Sequence, residues 1–194
     1  MNILEEKIIR EGTFKKGNIV KVDGFLNHLV DIELTGFIAD EIAKRYTGSS
    51  ITKIMTVETS GIAIATLVAA KFNVPMLIAK KNRPSTMDED TYSAKAYSFT
   101  HNCENQIIVS KRLLLASEKI LIIDDFLAEG EALSALIEIT QKAGADVVGC
   151  AVAIEKGFQK GGRIIREKGY RVESIATIGK IDYQNRAVAF IHQQ

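Results

Sequence analysis

The sequence has few residues of the kind that build disulfide or metal centres. It contains two cysteines, Cys103 and Cys150, which lie far apart without redox or metal-ligand spacing and so indicate free thiols in a reducing compartment. The three histidines, His28, His101 and His192, have no metal-ligand partner at helical or loop spacing. We therefore expect no metal ion to be bound directly by protein side chains.

Charge of one sign and long apolar runs are also lacking. The 25 basic and 24 acidic residues leave a net charge of +1 without a long basic run, which gives no case for nucleic-acid binding. The longest apolar run, residues 62–70, is far too short to span a bilayer, and residues 1–7 lack the apolar core of a secretory signal. We expect a cytoplasmic protein with no membrane partner.

What the sequence does contain is an apolar run that ends in a pair of carboxylates. Four aliphatic residues, 120–123, precede Asp124 and Asp125, and a loop of mostly small residues then leads to Leu133 and Leu136 at helical spacing. The pattern predicts a buried strand, a loop and a helix. The loop would lie at the carboxyl end of the strand, where open α/β sheets bind ligands.

The residues of this loop indicate which ligand would bind there. Backbone N–H groups from Ala128 to Ala132, at the start of a helix, can surround a phosphate dianion. Asp124 and Asp125 can accept hydrogen bonds from sugar hydroxyls or help to hold a metal-bridged polyphosphate. A phosphorylated sugar would satisfy all of these groups.

The remaining pattern alternates strands and helices joined by short loops. Residues 53–57 predict a strand, 62–71 a helix and 76–79 a strand, and further strands are expected at 147–154 and 171–178. The expected fold is α/β, with a doubly wound, mainly parallel sheet, helices on both faces and a small hood. A length of 194 residues suits a single domain, 1–194, whose hood is formed by about residues 1–30 and part of the C-terminal segment.

Three further segments are candidates for the same site. A second strand-to-helix loop has small residues that leave amides free for an anion, although most loops of this composition are plain connections. It comprises Glu58, Thr59, Ser60 and Gly61. Lys80, Lys81 and Arg83 form a compact cationic cluster that suits a diphosphate leaving group. Residues 86–103 are polar with spaced aromatics, which predicts an excursion above the sheet that would suit a lid.

Residues 120–132 resemble the phosphoribosyl diphosphate signature of type I phosphoribosyltransferases. The resemblance implies a 5-phosphate on residues 128–132, ribose hydroxyls on the two acids, diphosphate on residues 58–61 with Lys81, and Mg²⁺ carried by the substrate. This chain departs from most members in having Glu129 and Glu131 where they have Thr and Gly, and Ala132 where they have a hydroxyl. Backbone amides must therefore make the phosphate contact, from Ala128, Glu129, Gly130, Glu131 and Ala132.

Two other segments, residues 20–28 and 154–158, resemble the bacterial xanthine phosphoribosyltransferases within this family. The resemblance implies that the purine base meets Val20, Asn27 and Lys156 and lies under Phe158 or its neighbour, in a protein that pairs as a homodimer. An Asn amide can donate to a 2-oxo group and Lys to a 6-oxo group, acceptors that adenine lacks. No general base is evident, since Ala128 stands where hypoxanthine-guanine relatives keep an Asp.

Other readings of the acid pair fit less well. A regulator that senses purine or phosphoribosyl diphosphate on the same fold would carry a DNA-binding segment, and the residues before Asp31 hold no helix-turn-helix pair or basic face. A receiver-like domain would leave the phosphate loop without a role. The sequence Gly-x4-Gly-Lys-Ser/Thr does not occur, which disfavours a nucleotide triphosphatase.

Overall fold

The computed structural model of the chain describes residues 1–82, 90–98 and 103–192. The helices are α1 (Ile3–Glu11), α2 (Ile32–Arg45), α3 (Ile62–Phe72), α4 (Glu131–Lys142) and α5 (Gly161–Glu167). The strands are β1 (Thr13–Lys15), β2 (Ile19–Lys21), β3 (Lys53–Val57), β4 (Met76–Lys81), β5 (Thr91–Ser98), β6 (Cys103–Ser110), β7 (Lys119–Leu127), β8 (Asp146–Lys156), β9 (Val172–Asp182) and β10 (Ala187–Phe190). None of the helices in these ranges is both long and apolar enough to cross a membrane.

One sheet of eight strands, in the described part of the chain, has the order β10-β9-β8-β7-β3-β4-β6-β5. Its five central strands, from β9 to β4, pair in parallel, whereas β10 at one edge and β6 and β5 at the other pair antiparallel. Strands β3 and β7 are neighbours, so the loops that follow them emerge at the same edge of the sheet. This order confirms the predicted mainly parallel sheet.

Strand β7 shows why helices lie on both faces. Leu121 and Ile123 are fully buried in the core that α2 and α3 cover, and Ile120 and Ile122 are fully buried in the core that α4 covers. Successive side chains of a strand point to opposite faces, so a continuous aliphatic run suits a strand covered on both sides. The predicted doubly wound arrangement is therefore confirmed.

The segment for which we expect a hood begins with α1 and a short hairpin. Helix α1 has a capping box at Asn2, whose side chain also donates to the carbonyl oxygen of Ile175 on β9 at 2.7 Å. Strands β1 and β2 pair antiparallel outside the main sheet. Residues Asp23–Asn27 form a π-helical turn that buries Phe25 and Leu26. The burial of these two side chains fixes Asn27 at the edge of the sheet.

Two expectations about loops need correction. The predicted excursion at 86–103 is, where it is described, a hairpin of β5 and β6 that extends the sheet. Its inward residues include Ala94 and Ala96, whose small side chains give a weak hydrophobic pattern although they are buried against the α4 face. Arg83, Phe99 and His101 lie outside the described residues. Strand β7 also runs on to Leu127, so both acids belong to the strand and the loop begins at Ala128.

A buried ion pair stabilises the end of β8. The Glu155 side chain accepts hydrogen bonds from Arg166 at 2.7 and 2.8 Å and from Ser174 at 2.5 Å, and the residue is only 5% exposed. Burial acts to raise the pKa of Glu155, but the hydrogen bonds from Arg166 and Ser174 outweigh it and keep the pKa below its usual value. The pair therefore fixes the backbone immediately before Lys156.

Replacing Arg166 with Met should leave a buried carboxylate without its partner and lower the free energy of unfolding at pH 7 by about 3–5 kcal/mol. In the parent, the stabilisation is present above the unfolded pKa of Glu155 and lost as the pH falls through the lower folded pKa. In the variant, burial is opposed only by the hydrogen bond from Ser174, which is the weaker of the two effects on the pKa of Glu155. The pKa is then raised, so the deficit should shrink as the pH falls toward 4.5. Urea unfolding at both pH values measures this.

Arg163→Met is the matched control on the same helix, because Arg163 makes an exposed pair with Glu167 at 3.1 Å. Exposed helix pairs contribute about 0.3–0.5 kcal/mol, so this variant should change little at either pH. Equal losses in the two variants, or a deficit in Arg166→Met that grows in acid, would contradict the role given to the buried pair.

Candidate functional site

A cleft of about 830 Å³ opens where β7 and β8 end, facing the β1–β2 hairpin. Most of the predicted site residues line it: Val20, Asn27, Asp124, Ala128, Glu129, Gly130, Glu131, Ala132 and Lys156. Asp125, the second loop at 58–61, Lys81 and Phe158 do not line it. The cleft therefore joins the expected phosphate loop to the expected base contacts, across more than a hundred residues of sequence.

Of the acid pair, Asp124 lines the cleft, whereas Asp125 lies next to it on β7 and is not part of the lining. Asp124 is 7% and Asp125 9% exposed, and one carboxylate oxygen of Asp124 accepts a hydrogen bond from the Asp125 amide at 2.9 Å. Burial first, and then repulsion from Asp125, raises the pKa of Asp124 well above its usual value, although the charge of Lys81 acts in the opposite direction. A ligand that brings hydroxyl donors or positive charge would relieve this cost.

Asn27 connects the acid pair to the base end of the cleft. Its amide nitrogen donates to Asp125 Oδ2 at 3.2 Å, although the two residues are 98 positions apart in the sequence. An amide nitrogen carries two hydrogens, so one remains for a ligand. Asp125 thereby orients the side chain for which we predict a base contact.

The loop after β7 has the shape of an anion site. Gly130, with φ +85°, is the residue before α4, and the first amides of a helix have no acceptor within it. A Cβ atom on Gly130 would lie 2.9 Å from Gly161 Cα. The Gly161 amide donates to the carbonyl oxygen of Ala128 at 3.1 Å, so the loop lies flat against the start of α5. Glu129, one of the departures from the family pattern, pairs with Lys160 at 3.4 Å.

The loop after β3 reaches the acid pair from the other side. A Cβ atom on Gly61 would lie 2.5 Å from Thr56 Oγ1 and 3.1 Å from Asp124 Oδ1, so this loop rests directly on the carboxylate. The amide of Glu58 donates to Ala79 O at 3.1 Å and is not free for an anion, contrary to the expectation for this residue. The peptide bond between Glu58 and Thr59 is cis.

Lys81, at the end of β4, is tied to this second loop through its backbone. The Lys81 amide donates to a carboxylate oxygen of Glu58 at 2.6 Å, and Lys80 Nζ lies 3.3 Å from the other oxygen of the same carboxylate. Glu58 therefore fixes the strand end that carries the cationic cluster. The exposed side chain of Lys81 is close enough for its charge to lower the pKa of Asp124.

At the far end of the cleft, Lys156 lies over an aromatic ring. Its Nζ is 5.9 Å from the centroid of Phe126 and lies 3.5 Å from the carbonyl oxygen of Asn18. Burial lowers the pKa of Lys156. Phe158 is 37% exposed and outside the lining, whereas Phe126 lines the cleft. The position of Phe126 directly after the acid pair is the sequence signal that could have identified it, because all three residues belong to β7.

Two polar side chains to which the sequence analysis assigns no ligand contact also line the cleft. Tyr97 comes from β5, whose pairing with the sheet the sequence did not reveal, and Gln159 from the turn after β8. Together the lining offers an aromatic surface with nitrogen donors at one end, carboxylates in the middle and backbone amides at the other end. Such a cleft suits a planar heterocycle joined to a phosphorylated sugar.

Comparisons with known proteins match this geometry. The model of the phosphoribosyl transferase domain matches residues 26–185. A xanthine phosphoribosyltransferase of Bifidobacterium adolescentis is 48% identical over 191 residues, which are 98% of this chain and 99% of that protein. Another, of Bacillus cereus, is 44% identical over 194 residues, which are 100% of this chain and 98% of that protein.

Solved structures show the same fold. The adenine phosphoribosyltransferase of Thermoanaerobacter pseudethanolicus superposes with a TM-score of 0.74 at 22% identity, covering 90% of this chain and 99% of that one. The enzyme of Trypanosoma brucei, in complex with AMP, pyrophosphate and ribose-5-phosphate, gives 0.74 at 18% identity, with 91% and 80% covered. At these identities the likeness shows the fold alone.

Replacing Asp124 with Asn should stabilise the protein at pH 7 by about 1–2 kcal/mol while weakening the binding of ribose 5-phosphate. The folded pKa of Asp124 is raised, so the carboxyl destabilises the fold increasingly as the pH rises from the ordinary, unfolded pKa toward that higher value. The gain should therefore vanish near pH 4, which denaturant unfolding at both pH values measures. Asp146→Asn, at an exposed position, is the control, and a variant less stable than the parent at pH 7 would contradict the account.

Replacing Gly130 with Ala should displace the phosphate loop, because the added methyl meets Gly161 Cα. We expect the dissociation constant for ribose 5-phosphate to rise at least about tenfold, since small displacements of binding groups are costly. Gly169→Ala controls for backbone strain, having φ +87° and nothing within 4 Å of the added atom. Equal affinity in the two variants, measured by calorimetry, would remove the assignment of the loop.

Proposed function

The chain belongs to the phosphoribosyl transferase family, and on that premise we propose that it is a xanthine phosphoribosyltransferase of purine salvage. It transfers the phosphoribosyl group of 5-phosphoribosyl 1-diphosphate to xanthine and yields xanthosine 5'-monophosphate and diphosphate. The observation that carries the proposal is the continuous cleft from the phosphate loop to Lys156. The named relatives, at 44–48% identity over nearly the whole chain, support the same substrate.

The sugar phosphate occupies the end of the cleft at β7. The first amides of α4 and the loop before it hold the 5-phosphate, from Ala128 to Ala132. Asp124 and Asp125 accept hydrogen bonds from the ribose hydroxyls. As the bond from C1 to diphosphate breaks, the ribose ring gains positive charge, and carboxylates fixed beside it stabilise that charge without reorganisation. The reaction therefore depends on positioning and electrostatics rather than on a protein nucleophile.

The diphosphate lies toward the loop after β3. The amides of Thr59, Ser60 and Gly61 at the start of α3 are the anion contacts that we assign, and Glu58 acts instead through its carboxylate, which fixes the end of β4. Lys81 at that strand end supplies the positive charge that the leaving group needs.

Mg²⁺ enters with the diphosphate as part of the substrate. The acid pair fits such a cation, because burial and mutual repulsion already raise the pKa of Asp124 and a nearby positive charge offsets both effects. When bound, the ion neutralises charge on the leaving diphosphate.

The purine lies at the other end of the cleft, on Phe126. Lys156 donates to the 6-oxo group, and the second amide hydrogen of Asn27 donates to the 2-oxo group, while Val20 packs against the ring. Burial lowers the pKa of Lys156 because it disfavours the charged amine. A hydrogen-bond acceptor on the base offsets that desolvation cost. Guanine presents a donor at the 2-position and hypoxanthine presents nothing there, so both bind less well than xanthine.

We also infer that the enzyme is a cytoplasmic homodimer with one domain, 1–194, whose hood comprises about residues 1–30 and part of the C-terminal segment. The family resemblance implies this assembly. Apolar side chains that are exposed outside the cleft, among them Leu29, Ile32 and Leu115, are available to an interface. Light scattering of the purified protein reports the mass directly against the 21.3 kDa of one chain.

Release of diphosphate from 5-phosphoribosyl 1-diphosphate with Mg²⁺ should depend on an added purine. We expect kcat/KM to be highest for xanthine, about one to two orders of magnitude lower for guanine and hypoxanthine, and negligible for adenine, since each unpaired polar group costs about 1–3 kcal/mol. Reactions without base are the control. Preference for adenine would refute the xanthine assignment, and tight substrate binding without purine-dependent release would point to a sensor instead.

A further inference from the structure

The turn after β8 carries a side-chain amide, that of Gln159, whose buried oxygen has no hydrogen-bond partner. Among side-chain polar atoms of the described residues, only Thr56 Oγ1 and Gln159 Oε1 are buried and lack a hydrogen bond, and Gln159 lines the cleft. Buried acceptors are nearly always paired, because leaving one unpaired is costly. The orphan oxygen of Gln159 therefore indicates a donor that a ligand brings.

The backbone holds this amide in a defined place. The Gln159 amide N–H donates to the carbonyl oxygen of Lys156 at 2.8 Å, and that of Gly157 donates to Ile178 O at 2.8 Å. A Cβ atom on Gly157 would lie 2.9 Å from Thr177 Cγ2, so the turn packs closely on β9. Lys156 and Gln159 thus stand at the two ends of one fixed turn and face the same cleft.

The partner of this oxygen follows from the neighbouring groups. An acceptor oxygen repels phosphate, which excludes the anion in the adjacent loop as its ligand. The ribose hydroxyls already meet Asp124 and Asp125 on β7. What remains is the base, which carries a donor, N1–H, between its 6-oxo and 2-oxo acceptors.

We propose that Gln159 determines specificity by accepting the N1–H of the purine between the contacts of Lys156 and Asn27. The cleft then presents donor, acceptor and donor to the acceptor, donor and acceptor of the xanthine edge. Adenine presents a bare acceptor at N1 and would face the Gln159 oxygen unfavourably. The inference rests on the proposed function, since it concerns the orientation of the same base.

The test compares xanthine with 1-methylxanthine, which lacks the N1–H, in the parent and in Gln159→Leu. In the parent, kcat/KM should favour xanthine strongly. In Gln159→Leu we expect the ratio of the two values to fall about ten- to a hundredfold, as for a lost buried hydrogen bond, with an unchanged KM for 5-phosphoribosyl 1-diphosphate. The ratio of xanthine to 3-methylxanthine, which reports another edge of the base, should stay constant.

Two further variants complete the test. Gln184→Leu makes the same replacement in the exposed turn before β10 and should leave every ratio unchanged. Gln159→Glu keeps an acceptor and should retain the preference for xanthine over 1-methylxanthine within about threefold. This variant still tests the proposal if Gln159→Leu fails to fold.

Equal losses for xanthine and 1-methylxanthine in Gln159→Leu would overturn the proposal and leave the residue a structural role. Loss of the preference in Gln159→Glu would also overturn it, because the acceptor would then not be the contact. A parent enzyme that does not use xanthine at all would instead refute the proposed function on which this inference rests. The two failures are therefore distinguishable.

Discussion

Two adjacent carboxylates held almost entirely out of water at the end of β7 are the constraint on which the site depends. Asp124 and Asp125 are less than a tenth exposed, and burial together with mutual repulsion raises the pKa of Asp124. A fold maintains so costly a pair only where surrounding contacts are strong, and here the central strand is covered by helices on both faces. The destabilisation is offset by a ligand that donates hydrogen bonds or brings a cation.

Close backbone packing brings the other parts of the site to this pair. Gly61 leaves no room for a side chain beside Asp124, and Gly130 none beside Gly161, so both anion loops approach as near as backbone allows. Asn27 reaches Asp125 from the opposite wall of the cleft. The contacts that we propose for the base, the ribose and the phosphate are thus joined through one strand end.

The sequence predicted those parts that depend on local pattern. The aliphatic run of β7 and the alternation of strands and helices are local signals, and the structure has both. The β5–β6 hairpin is not predicted from the sequence, because the small alanines among its inward positions give a weak hydrophobic pattern. The bond from Asn27 to Asp125 and the partnerless Gln159 oxygen depend on contacts between distant segments, which no local pattern encodes. Phe126 has no predicted role because the strand expected from the aliphatic run stops before the acid pair, whereas β7 continues to Leu127.

Hydrogen exchange on the protein with different ligands tests most directly whether one cleft holds phosphate, ribose and base together. Ribose 5-phosphate should slow exchange at the amides of residues 129–132, which have no acceptor within α4, and leave the turn at 156–159 unchanged. Xanthosine 5'-monophosphate should slow exchange at both. Protection of the turn by ribose 5-phosphate alone, or no protection at 129–132 by either ligand, would contradict the account.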